Sequence, residues 1–132
     1  MENKMQFTVM LDAAAHLVRC RVTGTIRVHR LESMAAEALT MARAHGCHAS
    51  LIDITEATSG DSLMETFQFM THLESLGLQR SDFVAVVYSQ DASSHTFAET
   101  VARNRGWTNV RYFTDADAAE LWLRQVATAP VA

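Results

Sequence analysis

Two short apolar runs place the strongest limit on how this chain can fold. Residues 49–54 are mostly apolar and residues 83–88 are apolar throughout, which is typical of strands that other elements cover on both faces. Between the runs, apolar residues recur at helical spacing as far as Gly77. Since parallel strands need such a crossover connection, the pattern predicts a largely parallel sheet flanked by helices.

The first part of the chain predicts a β-hairpin followed by a helix. Apolar and polar residues alternate over residues 6–11 and again over residues 17–22, as in half-buried strands. The short link between them suits an antiparallel pair at a sheet edge. Gly24 interrupts the second strand, and from about Val28 an apolar helical stripe extends to a C-terminal cap at Gly46.

The last part of the chain adds a helix, a strand and a final helix. Helical spacing returns through residues 97–102, and residues 110–113 form a strand pattern. Thr114 or Asp115 then caps a helix with an apolar stripe of Ala118, Leu121, Trp122 and Val126. The predicted order is ββαβαβαβα: one α/β domain over residues 1–132, with a core of about 6–126 and a flexible tail at 127–132.

Composition narrows the classes of function. The chain has 132 residues, 48% of them hydrophobic, which is enough for one buried core. With 11 basic and 15 acidic residues and no dense basic patch, nucleic-acid binding is not expected. No apolar stretch is long enough to span a membrane, a signal-peptide pattern is absent, and there are two cysteines. We therefore expect a cytoplasmic protein.

Several stretches of the sequence resemble the small SpoIIAA-like (STAS/SEC14-like) domains. They are the strand that ends at Gly24 before a helix, the strand 51–54, the pair Asp61-Ser62 at a helix start, and the closing segment from Tyr112 to Leu123. The resemblance covers about residues 6–126 and is strongest to the uncharacterised bacterial branch. It implies an α/β fold and a non-enzymatic regulatory module that binds a protein partner.

The same resemblance implies a possible phosphorylation switch at Asp53, Asp61 and Ser62. In the anti-sigma-factor antagonists an aspartate ends a strand, an Asp-Ser pair follows, and a partner kinase modifies the serine. A helix N-terminus suits this role, because its free N–H groups can accept the phosphate. The polar loop 55–60 departs from the family pattern, however, and the alternative is that Asp61 or Ser62 only caps the helix.

Two polar clusters could carry chemistry. His45, Cys47 and His48 form the densest group of metal-ligand types, but no second cluster matches them, so we expect a structural helix end and neither a metal nor a cofactor. The second cluster follows the run 83–88, at the edge where α/β sheets bind ligands. Its members are Ser89, Asp91, Ser93, Ser94 and His95.

Helix capping is the favoured interpretation of this second cluster. Neighbouring residues at a helix start rarely reach the geometry of a nucleophile and its base. The chain also lacks the Gly-x-Ser-x-Gly, Gly-Lys-Ser/Thr and Gly-x-Gly-x-x-Gly motifs. No catalytic residue is predicted, although an enzyme that uses Ser94 or His95 stays as an alternative hypothesis.

The stretch 63–78 is apolar on more than one side of its predicted helix. Phe69 and Leu76 lie off the stripe that starts at Leu63 and widen it beyond one buried face. One hypothesis is a homodimer or a contact with another protein, and a second is a carrier of a small apolar molecule or lipid. The alternative is that the hairpin or the neighbouring helix of the same domain covers this helix. The residues predicted for either contact are Met64, Phe67, Phe69, Met70, Leu73 and Leu76.

Overall fold

The computed structural model describes residues 3–127 and confirms the predicted order of elements. The strands are β1 (Gln6–Asp12), β2 (Leu17–Ile26), β3 (Ala49–Ser59), β4 (Phe83–Val87) and β5 (Val110–Phe113). The helices are α1 (Val28–Ala44), α2 (Leu63–Thr71), α3 (Ala92–Asn104) and α4 (Ala116–Ala127), with a 3₁₀ turn at Glu74–Leu76. Residue 127 thus ends α4, and the rest of the predicted tail, 128–132, lies outside the described residues.

The five strands form one sheet in the order β1-β2-β3-β4-β5. β1 pairs antiparallel with β2, from Gln6 opposite Thr23 to Asp12 opposite Leu17, and the remaining neighbours are parallel. The predicted α/β class, a mostly parallel sheet with an antiparallel N-terminal edge hairpin, is therefore confirmed. Within residues 3–127, no helix combines the length and apolar character needed to cross a bilayer.

β2 and β3 are longer than the sequence predicts. After a register shift between Arg21 and Thr23, the two strands stay paired until Ile26 lies opposite Ser59. The prediction of a loop at residues 55–60 is therefore wrong for most of that segment, because pairing with β2 holds it as strand. Gly24 allows the extension, since it has a φ of 82° and a Cβ there would lie 2.3 Å from the carbonyl oxygen of Lys4.

Helices cover both faces of the sheet. Residues of α1, α2 and α3 share the larger core, and Ala119 and Leu123 of α4 form a second core on the opposite face. Val86 faces the larger core while Val87 faces α4, as the period of two requires. The predicted stripe of α4 was partly wrong: Ala118 is exposed, Leu121 is 52% exposed, and the neighbouring Ala119 and Leu123 point inward instead.

α2 ends earlier than predicted. Instead of one helix over 63–78, α2 stops at Thr71 and a 3₁₀ turn follows. The Thr71 hydroxyl donates to the carbonyl of Gln68 at 2.8 Å, and the Ser75 hydroxyl donates to the carbonyl of His72 at 2.7 Å. Such bonds compete with the helical ladder and favour its end. Gly77, with a φ of 102°, then turns the chain towards β4.

Candidate functional site

A cavity of about 170 Å³, partly open to solvent, lies beneath α2 beside the larger core. Its floor is the face of the sheet that carries Ile52, Ile54, Val84 and Val86, and its walls come from α1, α2 and α3. Apolar side chains dominate this lining. An apolar cavity of this size accepts apolar guests.

The position of α2 explains the cavity. α2 packs mainly against α3 and more lightly against α1, so it spans the space between them above the sheet. The residues of α2 that face the cavity are Thr66, Phe69 and Met70, and Leu73 follows just after the helix ends. Together they have the spacing i, i+3, i+4 and i+7 of one helix face. Leu76 reaches the same cavity from the 3₁₀ turn. These four apolar side chains were all among the predicted contact residues.

The outward side of α2 carries the two remaining predicted contact residues, Met64 and Phe67, together with Leu63. Leu63 is 56% exposed, Met64 64% and Phe67 37%. The sequence analysis expected Phe69 and Leu76 to widen the helix away from the core, and this was wrong. Phe69 lies on the same side of α2 as Thr66 and Met70, and Leu76 reaches the cavity from the 3₁₀ turn, whereas Leu63 and Phe67 face outward.

Polar groups gather at one end of the cavity, at the carboxyl edge of the sheet. Ser59 ends β3 and Asp61 follows it, Ser94 and His95 lie in the first turn of α3, and Tyr112 lies on β5. His95 is only 7% exposed. Its ring lies 5.9 Å from that of Tyr112, with the planes inclined by 23°. This group contains part of the predicted polar cluster, together with Tyr112, which the sequence analysis missed.

Burial controls the protonation of the two aromatic groups at this end. Burial lowers the pKa of His95, against a smaller opposite effect of Asp91. Burial also raises the pKa of the Tyr112 phenol, and the charge of Glu99 acts in the same direction. At neutral pH both groups are therefore neutral hydrogen-bonding groups. Among the described residues no hydrogen bond joins Ser94 to His95, so these two do not form a nucleophile–base pair.

The other members of the predicted polar cluster hold the β4–α3 loop. Asp91 is the N-cap residue of α3, but its φ is 59° and its side chain makes no capping bond. Instead, its carboxylate accepts from the backbone N–H of Ser59 at 2.8 Å, and the Ser89 hydroxyl donates to the carbonyl of Thr55 at 2.6 Å. The expectation of side-chain capping was wrong here, because the extended β3 offers nearer partners. These bonds tie the start of α3 to the end of β3.

Ser62 caps α2 as the alternative interpretation predicted. The Ser62 hydroxyl accepts from the N–H of Glu65, and the Glu65 carboxylate accepts from the N–H of Ser62, both at 3.1 Å. The carboxylate of Asp61 is almost buried, 3.9 Å from the guanidinium of Arg27, which also donates to the carbonyl of Gly60. Burial raises the pKa of Asp61, and the nearby charge of Glu65 adds to the effect.

Asp53 does not end a strand. It lies within β3, which continues to Ser59. Its carboxylate accepts from the backbone N–H of Thr55 at 2.9 Å and from the Thr55 hydroxyl at 2.7 Å. The implied placement of Asp53 at a strand end was therefore wrong, because the pairing of β3 with β2 extends the strand beyond it.

The His45–His48 segment is a helix end, as predicted. His45 is the C-cap residue of α1, and Gly46 follows with a φ of 66°. Cys47 is 1% exposed, and burial raises the pKa of its thiol, which opposes the thiolate that a nucleophile needs. Within residues 3–127, no three histidine, cysteine or carboxylate side chains lie close enough together to hold a metal ion.

A sheet with an antiparallel edge hairpin and three crossover helices on one face defines a small α/β domain of the kind that the sequence resembles. The chain belongs to the SpoIIAA-like family, whose model matches residues 17–124. The resemblance stated from the sequence is thus confirmed.

Two solved structures share this fold. An anti-sigma factor antagonist from Mycobacterium paratuberculosis is 16% identical, with a TM-score of 0.56 over 90% of this chain and 95% of that one. An uncharacterized protein with a SpoIIAA-like fold from Shewanella loihica PV-4 is 20% identical, with a TM-score of 0.54 over 92% and 94% of the two chains. At these identities the likeness concerns the fold. A comparison with curated protein sequences finds no match.

Proposed function

We propose that this domain acts by binding rather than by catalysis, and that it holds a small apolar molecule in the cavity beneath α2. The observation that carries the proposal is the cavity itself, about 170 Å³ in volume, which is lined by the sheet and three helices and is partly open to solvent. A filled core would have favoured a purely protein-binding module. An apolar site of this size at the centre of the domain favours a carrier or sensor of a small molecule.

The volume sets the size of the molecule. A cavity of about 150 Å³ in another protein stays dry and binds benzene. A volume of about 170 Å³ therefore suits one aromatic ring with a small substituent, or a short aliphatic chain. Transfer of such a molecule from water gains about 25 cal/mol for each Å² of apolar surface removed from solvent.

The cover of the cavity is a short element. α2 has nine residues, and a helix of this length is marginal without tertiary contacts. Its start is fixed by the Ser62 capping box and by the ion pair of Asp61 with Arg27. Its inward residues, such as Phe69 and Met70, line the cavity as well as packing on the larger core. We therefore expect α2 to be the element that moves when a ligand enters.

Titration of the ¹⁵N-labelled protein with toluene tests this proposal. The expected result is a saturable change in the amide signals of cavity-lining residues on α1, α2 and α3. The variant Ala38→Leu, which adds three carbon atoms to the cavity wall, is the control and should show no such change. If toluene produces no saturable change in the wild-type protein, the proposal is wrong.

A second candidate function is self-association through the outward face of α2. It is supported by the exposure of Leu63, Met64 and Phe67, the last with the Arg105 guanidinium 5.6 Å from its ring centre. Neighbouring exposed apolar residues of this kind favour an interface. The occupant that we propose is a second copy of this chain, with a different regulatory protein as the alternative outcome.

Sedimentation equilibrium distinguishes these possibilities. A dimer of the wild-type protein that dissociates in Leu63→Ser and Met64→Ser would support self-association through α2. Leu121→Ser is the matched control, because Leu121 is also exposed but lies on α4. A monomeric wild-type protein, or a dimer that survives both α2 substitutions, would exclude this interface.

We also propose Ser62 as a regulatory modification site at the edge of this face. Ser62 is exposed and directly precedes Leu63. A phosphate there would add negative charge beside Asp61 and Glu65 and would weaken the capping box. Mass spectrometry of the protein from its own cells should detect phosphate on Ser62, and its consistent absence there would oppose the proposal.

A further inference from the structure

We propose that the molecule held in the cavity carries one neutral hydrogen-bonding group, a hydroxyl or a carbonyl, that binds to His95 and Tyr112. This inference rests on the proposed function and adds the chemical class of the ligand. The apolar part of the molecule would lie between α2 and the sheet. Its polar group would lie at the carboxyl edge of the sheet, where the polar lining residues gather.

The two groups at this edge have hydrogen-bonding capacity that the protein does not use. His95 is 7% exposed, yet among the described residues no hydrogen bond involves its ring. The hydroxyl of Tyr112 likewise makes none with a described residue. A neutral imidazole offers one donor and one acceptor, and a phenol offers a donor. Among the described residues, only the Arg30 Nε is a completely buried side-chain polar atom without a partner, so the polar atoms of His95 and Tyr112 stay accessible to a molecule in the cavity that both residues line.

The protein holds these two groups in place before any ligand binds. The His95 ring stacks on Tyr112, and its centre lies 5.0 Å from that of the Tyr88 ring, directly after β4. The bond from the Ser59 N–H to the Asp91 carboxylate fixes the loop that leads into α3. Asp91, which accepts this bond, has a φ of 59°. This backbone conformation is costly for residues other than glycine and is often found at functional sites.

The charges around the cavity favour a neutral group over an anion. The described residues that line the cavity include one carboxylate, Asp61, but no lysine or arginine. Arg27 lies beside that carboxylate and donates to the carbonyl of Gly60. A ligand carboxylate would therefore lose its hydration without gaining a cation. A hydroxyl or a carbonyl meets both His95 and Tyr112 without this cost.

Calorimetric titrations with p-cresol, toluene and benzoate test the inference on the complete protein. p-Cresol and toluene have nearly the same shape and differ in one hydroxyl, and benzoate adds a negative charge. We expect p-cresol to bind about fivefold more tightly than toluene, as one net hydrogen bond would give. Benzoate should bind most weakly.

The variants separate this inference from the proposed function. In His95→Phe and Tyr112→Phe the preference for p-cresol should fall towards onefold while toluene binds as before. His95→Gln should retain part of the preference, and His29→Phe, on the exposed side of α1, should retain all of it. If toluene binds but p-cresol shows no preference, or if the preference survives both phenylalanine substitutions, the inference is wrong and the cavity proposal stands. If neither probe binds, both proposals are wrong.

Discussion

The imidazole of His95 lies over the phenol ring of Tyr112, with ring centres 5.9 Å apart and planes inclined by 23°. One ring belongs to the first turn of α3 and the other to β5, and Tyr88, directly after β4, packs against both. Because His95 and Tyr112 line the cavity, its polar end is built by residues from separate elements of the fold. Neighbouring elements, and not one local motif, therefore create this site.

The first prediction concerns the pH dependence of stability. Burial lowers the pKa of His95 below its ordinary value of 6.5. The unfolded chain therefore takes up the His95 proton at a higher pH than the folded one does. This contribution to the free energy of unfolding is complete above pH 6.5 and is lost as the pH falls through the folded pKa.

Urea unfolding at several pH values between 7.5 and 5 measures this effect. The wild-type protein should lose more stability on acidification than His95→Phe, which has no ionisable group at that position. The variant His29→Phe, at an exposed position of α1, is the matched control for the loss of one histidine. Equal slopes for the wild-type protein and His95→Phe would contradict the prediction.

The second prediction uses two alanines of the same core. Ala38 lines the cavity, whereas Ala102 is completely buried and is not among the cavity-lining residues. Ala38→Leu fills empty space, so its free energy of unfolding should stay the same or rise. Ala102→Leu overpacks a filled region and should cost about 1–3 kcal/mol. Thermal and urea unfolding compare the two, and an equal loss of stability in both would mean that no usable space exists beside Ala38.

The third prediction concerns Asp82, which is 5% exposed and precedes β4. Its carboxylate accepts from the Arg43 guanidinium at 2.7 and 3.0 Å and from the Gln79 N–H at 2.7 Å. Asp82→Ala should lower the free energy of unfolding, measured in urea, by about 2 kcal/mol. This loss is below the usual range for a fully buried ion pair, because Arg43 is partly exposed. Glu56→Ala breaks an exposed pair with Arg21 and should leave stability unchanged. Similar effects of the two substitutions would contradict this assignment.

The fourth prediction compares two glycines with positive φ. At Gly46 a Cβ would have no atom within 4 Å, so Gly46→Ala should cost about 1 kcal/mol for the backbone conformation alone. At Gly24 a Cβ would also collide with the backbone of Lys4. Gly24→Ala should therefore be clearly more destabilising in urea unfolding. If it costs no more than Gly46→Ala, the close approach of residue 4 to β2 is not maintained in solution.

Periodicity in the sequence predicted the order and type of the elements well. Alternation over the first two strands identified the hairpin, and the apolar runs identified β3 and β4 as central strands. The extension of β3 to Ser59 could not be read from its polar residues, because it depends on pairing with the far end of β2. Which residues of α2 face the core could not be predicted either, because this depends on where the helix begins and ends.

The candidate site was predicted only in part. Ser94 and His95 were singled out because they follow a central strand, and Phe69, Met70, Leu73 and Leu76 because of their spacing. The local sequence around His95 is polar, so its burial depends on Tyr88 and Tyr112, which come from other elements. The cavity itself has no sequence signal, because it is a space that remains where α2 spans the gap between α1 and α3.

A crystal structure of the protein soaked in toluene would test the central claim most directly. The account predicts density for one ring between Phe69 and Met70 of α2 and Val86 of the sheet, with any displacement of the backbone concentrated in α2. The Ala38→Leu crystal, treated in the same way, should lack this density. A wild-type structure in which protein side chains fill the space, or in which toluene lies only on the surface, would contradict the account.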